Sequence, residues 1–258
     1  MSHPAEVAPP RHYNDDPAKD YRGRYGLPIH WIEDPCSHFG IDYAGYVELT
    51  LSLLPAVAAG EERWALDAGC GDGFISGLIS KKGYRVVGVD YTESAIKYAR
   101  LLVPEGEFHV GDLRDLPAPV RDRKFDTIVF VEALEHLPVE YHEPVLRELR
   151  GLLKPGGVMI LSVPSNRIPV SRRHYKHFSP EETRGILGRC GFEVQSMVGQ
   201  HRRCIITGRL FWKLIHNHVW DFPFIRAWVR RRFLRKHNVV ADLNRASRFL
   251  TVATVLQA

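Results

Sequence analysis

Ala65-Leu66-Asp67-Ala68-Gly69-Cys70-Gly71-Asp72-Gly73 carries an apolar strand into a turn with glycine at alternate positions, and a helix over 74–82 is expected to follow. Glycine lets the backbone turn sharply and lets another group approach it closely. Position 74 is phenylalanine, so the GxGxxG pattern with its third glycine does not fit. Asp67 and Asp72 put negative charge beside the turn, which disfavours a pyrophosphate and suits a ligand bearing a cation and an amino group.

Outward from this turn, short apolar runs at 64–68, 84–89, 107–110, 125–131 and 158–163 read as strands buried on both faces. Between them, helical periodicity covers 74–82, 93–102 and 139–153, and an amphipathic helix over 41–54 precedes the set. Lys154-Pro155-Gly156-Gly157 is expected to stop the third of these helices, because proline cannot continue it and glycine tolerates the turn. This alternation predicts a mostly parallel sheet with helices on both faces. Downstream, Ser179-Pro180-Glu181-Glu182 has the cap serine, first-turn proline and early carboxylates of a helix start, and Cys190-Gly191 its end. A sixth strand over 192–198 and a closing strand over 249–255 bracket residues 201–245, a basic helical insertion expected to cap the substrate, with helices at 210–216 and 222–236. Prolines 4, 9, 10, 17, 28 and 35 interrupt residues 1–40, which read as a leader and candidate lid ahead of one domain over 41–258.

Composition narrows the setting. The chain has 258 residues with 45% hydrophobic and 25% charged, an ordinary globular balance. Its four cysteines contain no CxxC pair, and no apolar run reaches the roughly 20 residues of a spanning helix. The first residues hold no apolar signal core, so a reducing, cytoplasmic location is expected, with room for peripheral membrane contact. The net charge of +5 is split: 18 Lys/Arg against 25 Asp/Glu in 1–171, and 17 against 5 in 172–258. The basic part suits phosphates, nucleic acid or an anionic membrane surface.

Two further acids sit at strand ends. Asp90 closes Val86-Val87-Gly88-Val89-Asp90, where a carboxylate can accept both hydroxyls of a ribose, and Asp112 in Gly111-Asp112-Leu113 can accept from an adenine amino group. DAGCGDG, GVD and GDL, followed by Phe125-Asp126-Thr127-Ile128-Val129 and Leu153-Lys154-Pro155-Gly156-Gly157, resemble as an ordered set the class I S-adenosylmethionine-dependent methyltransferases, over about residues 60–200. Within that class the chain resembles quinone and natural-product O-methyltransferases. The resemblance implies a Rossmann-like doubly wound α/β fold with seven strands, the last antiparallel, and S-adenosylmethionine as cofactor. It also implies that Gly69, Gly71 and Gly73 meet the methionine moiety, Asp90 the ribose and Asp112 the adenine, with Asp67, Cys70, Tyr91, Leu113 and Val131 completing the cofactor site.

After the fourth strand the sequence reads Val131-Glu132-Ala133-Leu134-Glu135-His136-Leu137. The Asn/Asp-Pro-Pro-Tyr tetrad of enzymes that methylate planar nitrogens is absent, which disfavours methylation of adenine, cytosine and glutamine. Imidazole titrates near neutral pH, so His136, with Glu135 beside it, is the candidate general base; the plain alternative is that the pair only shapes a pocket wall. Glu132, Glu135 and His136, with His174 or His177, also form a set able to hold Mg²⁺ or Mn²⁺. That set resembles metal-dependent 2′-O-methyltransferases of small RNAs as well as quinone-pathway enzymes. Residues 222–236 interleave Phe, Trp and Arg and read as a basic amphipathic helix for an anionic membrane, for RNA, or for packing on the domain. The expected function is O-methylation of a small-molecule or lipid-linked metabolite, such as a quinone, glycolipid or natural product, ahead of nucleic acid. The alternatives are a divalent-metal-dependent RNA 2′-O-methyltransferase and a cofactor-binding scaffold without turnover.

Overall fold

The computed structural model describes residues 26–33, 38–200, 223–237, 239–240 and 242–256. Its elements in chain order are α1 (Ile29–Ile32), α2 (His38–Leu53), β1 (Arg63–Ala68), α3 (Phe74–Ser80), β2 (Tyr84–Asp90), α4 (Glu93–Leu102), β3 (Glu107–Val110), α5 (Ala118–Arg121) and β4 (Phe125–Val131). Then come α6 (His142–Leu152), β5 (Leu153–Pro164), α7 (Pro180–Arg189), β6 (Phe192–Gln200), α8 (Pro223–His237), β7 (Val239–Val240) and β8 (Arg248–Val255). The strands form one sheet in the order β3-β2-β1-β4-β5-β8-β6-β7.

β1 to β5 are parallel, β8 runs antiparallel between β5 and β6, and β7 pairs antiparallel with the end of β6. The expected doubly wound α/β architecture with an antiparallel closing strand is present. Among the described residues the strand count is eight rather than seven, because Val239 and Val240 add a two-residue edge too short to leave a periodic signal. Val87, Ile128, Phe130, Met159 and Leu161 are buried in the main core, as continuous apolar runs in central strands require. Ala65, Val86 and Val129 belong to a second core that packs toward α2 through Tyr46 and Leu51.

The helix expected over 139–153 is a 3-10 turn at Val139–Tyr141 followed by α6, and Leu153 already belongs to β5. Lys154-Pro155-Gly156-Gly157 is thus a bulge inside the strand: pairing with β4 shifts between Phe125↔Leu153 and Thr127↔Val158, and Gly156 takes φ 74°. Ser179 caps α7 as expected, its Oγ accepting from the Glu182 N–H at 3.1 Å while Glu182 Oε2 accepts from the Ser179 N–H at 2.8 Å. The helix expected at 210–216 lies outside the described residues.

Candidate functional site

The parallel strands all end on the side where β1 gives way to the glycine turn, the edge at which ligands of open α/β sheets bind. There, Gly69 and Gly73 adopt φ 77° and 78°. A side chain on Gly69 would sit 2.8 Å from the Ala133 Cβ, and one on Gly73 2.8 Å from the Ala99 Cβ, so close packing as well as backbone freedom demands glycine at both. Gly69 and Gly71 line a cavity of about 260 Å³ together with Asp67, Cys70, Asp90, Tyr91, Leu113 and Val131. Gly73 and Asp112, expected in the same set, are not among the lining residues. Gly73 turns onto α4, and the Asp112 carboxylate is gripped by Arg114, with Nη2 to Oδ2 at 2.6 Å.

The buried Asp90 carboxylate accepts from the Gly71 N–H at 3.0 Å and the Thr92 N–H at 2.8 Å, which ties the end of β2 to the turn after β1. Burial raises its pKa against the pull of those two bonds. Burial likewise raises Asp67 to about 7, although Ser76 Oγ donates to it at 2.6 Å. A folded-state pKa above the unfolded value of 3.8 means that the folded chain holds this proton more tightly. The resulting stability is fully present below 3.8 and is lost as the pH rises to about 7. Asp67→Asn keeps an oxygen for Ser76 and is expected to raise the thermal unfolding midpoint above pH 7, with a gain that shrinks as pH falls toward 3.8. A gain that does not vary with pH would contradict this.

After β4, Glu132 has φ 52°, a strained conformation for a residue with a side chain. Its carboxylate is secured on both oxygens: Ser162 Oγ donates to Oε1 at 2.8 Å and Arg248 Nε lies 2.8 Å from Oε2. Glu135 is the opposite case. It is 0% exposed, and neither carboxylate oxygen has a hydrogen-bond partner among the described residues. Burial, and then the nearby Glu132 charge, hold its pKa well above the carboxylate range.

Hydrogen bonds fix the neighbouring rings. His136 Nδ1 lies 3.0 Å from the Arg173 carbonyl and His177 Nδ1 3.1 Å from that of Ile168, and a carbonyl only accepts, so both Nδ1 atoms carry hydrogen. His177 Nε2 therefore accepts from His174 Nδ1 at 2.8 Å. Burial, with His136 and His177 close by, lowers the His174 pKa to about 3, so its ring is neutral. That leaves His174 Nε2 as an electron-pair donor, and His136 Nε2 is 4.0 Å from Glu135 Oε1.

Glu135, His136 and His174 line the same cavity as the glycine turn, and one ligand atom from each can meet the others within 4.8 Å. Of the five residues expected to hold a metal, these three converge. Glu132 is committed to Arg248, and His177 buttresses His174 from behind. His30, Asp42, Tyr43, Tyr46 and Arg248 also line the cavity and were missed by sequence reasoning. Tyr43 and Tyr46 fall within the amphipathic helix read over 41–54, where nothing marks them as site residues. Arg248, a lone charge opening a β-branched strand, was a readable signal: it stacks 4.4 Å over Tyr46 and its Nη1 donates to Gln200 Oε1 at 2.7 Å. The described part of the leader reaches the turn as well, since His30 N–H and Trp31 Nε1 donate to Asp72 Oδ2 and the Asp72 carbonyl at 3.1 and 3.0 Å.

Residues 66–161 match the family described as "Methyltransferase domain". A Mycolicibacterium smegmatis protein named a "probable S-adenosylmethionine-dependent methyltransferase" is 33% identical over 145 residues, covering 53% of this chain and 54% of that protein. A ubiquinone biosynthesis O-methyltransferase from Xanthomonas euvesicatoria is 31% identical over 159 residues, covering 52% and 64%. The chain thus spans about half the length of the first of these curated relatives. Among solved structures, a magnesium protoporphyrin IX methyltransferase from Synechocystis with bound S-adenosylmethionine superposes with a TM-score of 0.55 at 20% identity, covering 84% of this chain and 82% of that one. That likeness is one of fold.

Proposed function

We propose that this chain, which carries a class I, Rossmann-like S-adenosylmethionine-dependent methyltransferase domain, transfers a methyl group to a hydroxyl oxygen of a small-molecule or lipid-linked metabolite. The observation that carries the reading is one cavity shared by the glycine turn with Asp90 and by the electron-pair donors of Glu135, His136 and His174. Bound there, S-adenosylmethionine would supply an electrophilic methyl group on a cationic sulfur. Asp67, Gly69, Gly71 and Asp90 would hold its amino acid and ribose ends, and Gly111 and Leu113 its adenine, with Asp112 bracing that turn through Arg114.

The acceptor hydroxyl must lose its proton as it gains carbon. His136 Nε2 is the atom assigned to take it, because Nδ1 is already engaged by the Arg173 carbonyl. The Glu135 carboxyl, held in its neutral range by burial, lies 4.0 Å from His136 Nε2 and borders the proton's path without exchanging its own. A divalent metal is the second reading, and the same unpartnered carboxylate favours it, since two imidazole Nε2 atoms and a carboxylate are a competent three-ligand set for Mg²⁺ or Mn²⁺. The reading places the chain in the cytoplasm, in keeping with the unpaired thiols of Cys70 and Cys190.

The test is transfer of labelled methyl from S-adenosylmethionine into a cell extract, with and without EDTA, followed by partition of the label. Label in solvent-extractable or water-soluble small molecules is expected. Label confined to nuclease-sensitive material would replace this reading with RNA 2′-O-methylation. Loss of transfer with EDTA, restored by Mg²⁺ or Mn²⁺, would make the three residues metal ligands rather than a base with its support. Cofactor binding without product would leave a scaffold.

A further inference from the structure

Phe224 of α8 is 88% exposed and Trp228 61%, with Ile225 beside them at 42%. At about 100° of rotation per residue, Phe224, Ile225, Trp228, Arg231 and Arg232 fall within about a third of the helix circumference, and all five are exposed. Among these exposed residues, aromatic and basic side chains share one face, and the Arg232 guanidinium stands 5.7 Å from the Trp228 ring centre. α8 packs against α2, the helix that sends Asp42, Tyr43 and Tyr46 into the cavity.

A face of this composition fits a narrow class of partner. Large apolar side chains beside guanidinium groups match the headgroup level of a bilayer, where rings and aliphatic chains enter the acyl boundary and arginines reach lipid phosphates. Charge selects the lipid, since residues 172–258 carry 17 Lys/Arg against 5 Asp/Glu. The same excess repels a second copy of the segment. Single-stranded RNA would use the rings for stacking but gains nothing from the aliphatic Ile225. No helix among the described residues is long and apolar enough to cross a membrane, so the contact would be peripheral.

We propose that α8 docks on an anionic phospholipid surface through Phe224, Ile225 and Trp228, with Arg231 and Arg232 on lipid phosphates, and so holds α2 and the cavity beside it at that surface. The proposal concerns binding and stands or falls apart from methyl transfer. The test is sedimentation of the full chain with vesicles of phosphatidylcholine alone or mixed with phosphatidylglycerol. Binding to the mixed vesicles only is expected, with the bound-to-free ratio falling about tenfold or more in both Phe224→Ser/Trp228→Ser and Arg231→Gln/Arg232→Gln. Thermal unfolding midpoints equal to that of the parent chain would show that both variants fold. Equal sedimentation of a folded variant and the parent would overturn the proposal, as would equal binding to neutral vesicles. A single-stranded RNA oligomer that binds the parent more tightly than the mixed vesicles, and is lost in the same variants, would assign the face to nucleic acid instead.

Discussion

Asp90→Ala is expected to weaken S-adenosylmethionine binding by more than about tenfold, the loss that follows when a charged hydrogen-bond acceptor is removed from a buried site. The carboxylate occupies a rare position. It is buried at the end of β2, its pKa is raised by that burial, and its two oxygens already take N–H groups from Gly71 and Thr92. The two N–H donors hold the carboxylate in place, and its remaining lone pairs are what the ribose hydroxyls would use. The variant damages the site twice, by deleting the ribose anchor and by orphaning the Gly71 N–H inside the glycine turn. Isothermal calorimetry checks it, and unchanged affinity would remove Asp90 from the cofactor site.

His136→Ala is expected to lower turnover by about 10²- to 10⁴-fold, the usual contribution of a positioned general base, while cofactor affinity stays unchanged. The base and metal readings separate in the pattern of variants. If His136 is the base, added imidazole restores part of the rate, and His174→Ala costs far less than His136→Ala. If the trio holds a metal, Glu135→Gln, His136→Ala and His174→Ala lose activity alike, and calorimetry with Mn²⁺ alone shows a binding isotherm that each variant abolishes. Equal activity of His136→Ala and the parent would exclude both roles for this residue.

Most of the fold could be read because its signals are local. An apolar run ending in Gly69-Cys70-Gly71, an acid closing the next strand, and serine with glutamate three residues on at the start of α7 each report conformation within one turn of chain. Where the reading fell short, the deciding partner was distant or the element too brief. Val239 and Val240 are two residues long, and the Lys154–Gly157 bulge is legible only against its pairing with β4. In the site, Asp67, Gly69, Gly71 and Asp90 line one cavity, but other polar lining comes from α2 and from Arg248 on β8, and sheet order brings the latter near. Asp112 matches the motif, yet its carboxylate turns to Arg114, a choice of rotamer that sequence does not encode. Likewise, spacing groups Glu132, Glu135, His136, His174 and His177 but cannot tell which acid is already satisfied.

The link between Trp31, His30 and Asp72 makes the leader a participant in the energetics of the turn. Asp72 lies between Gly71 and Gly73, so its side chain and carbonyl face the leader while its neighbours face the cavity and α4. By thermodynamic linkage, a ligand that favours the turn as the leader holds it would favour the docked leader, and the docked leader would tighten that ligand by the same factor. Residues 26–33 are thus tied by hydrogen bonds to the turn after β1, although twenty-nine residues of chain separate Glu33 from Arg63 at the start of β1.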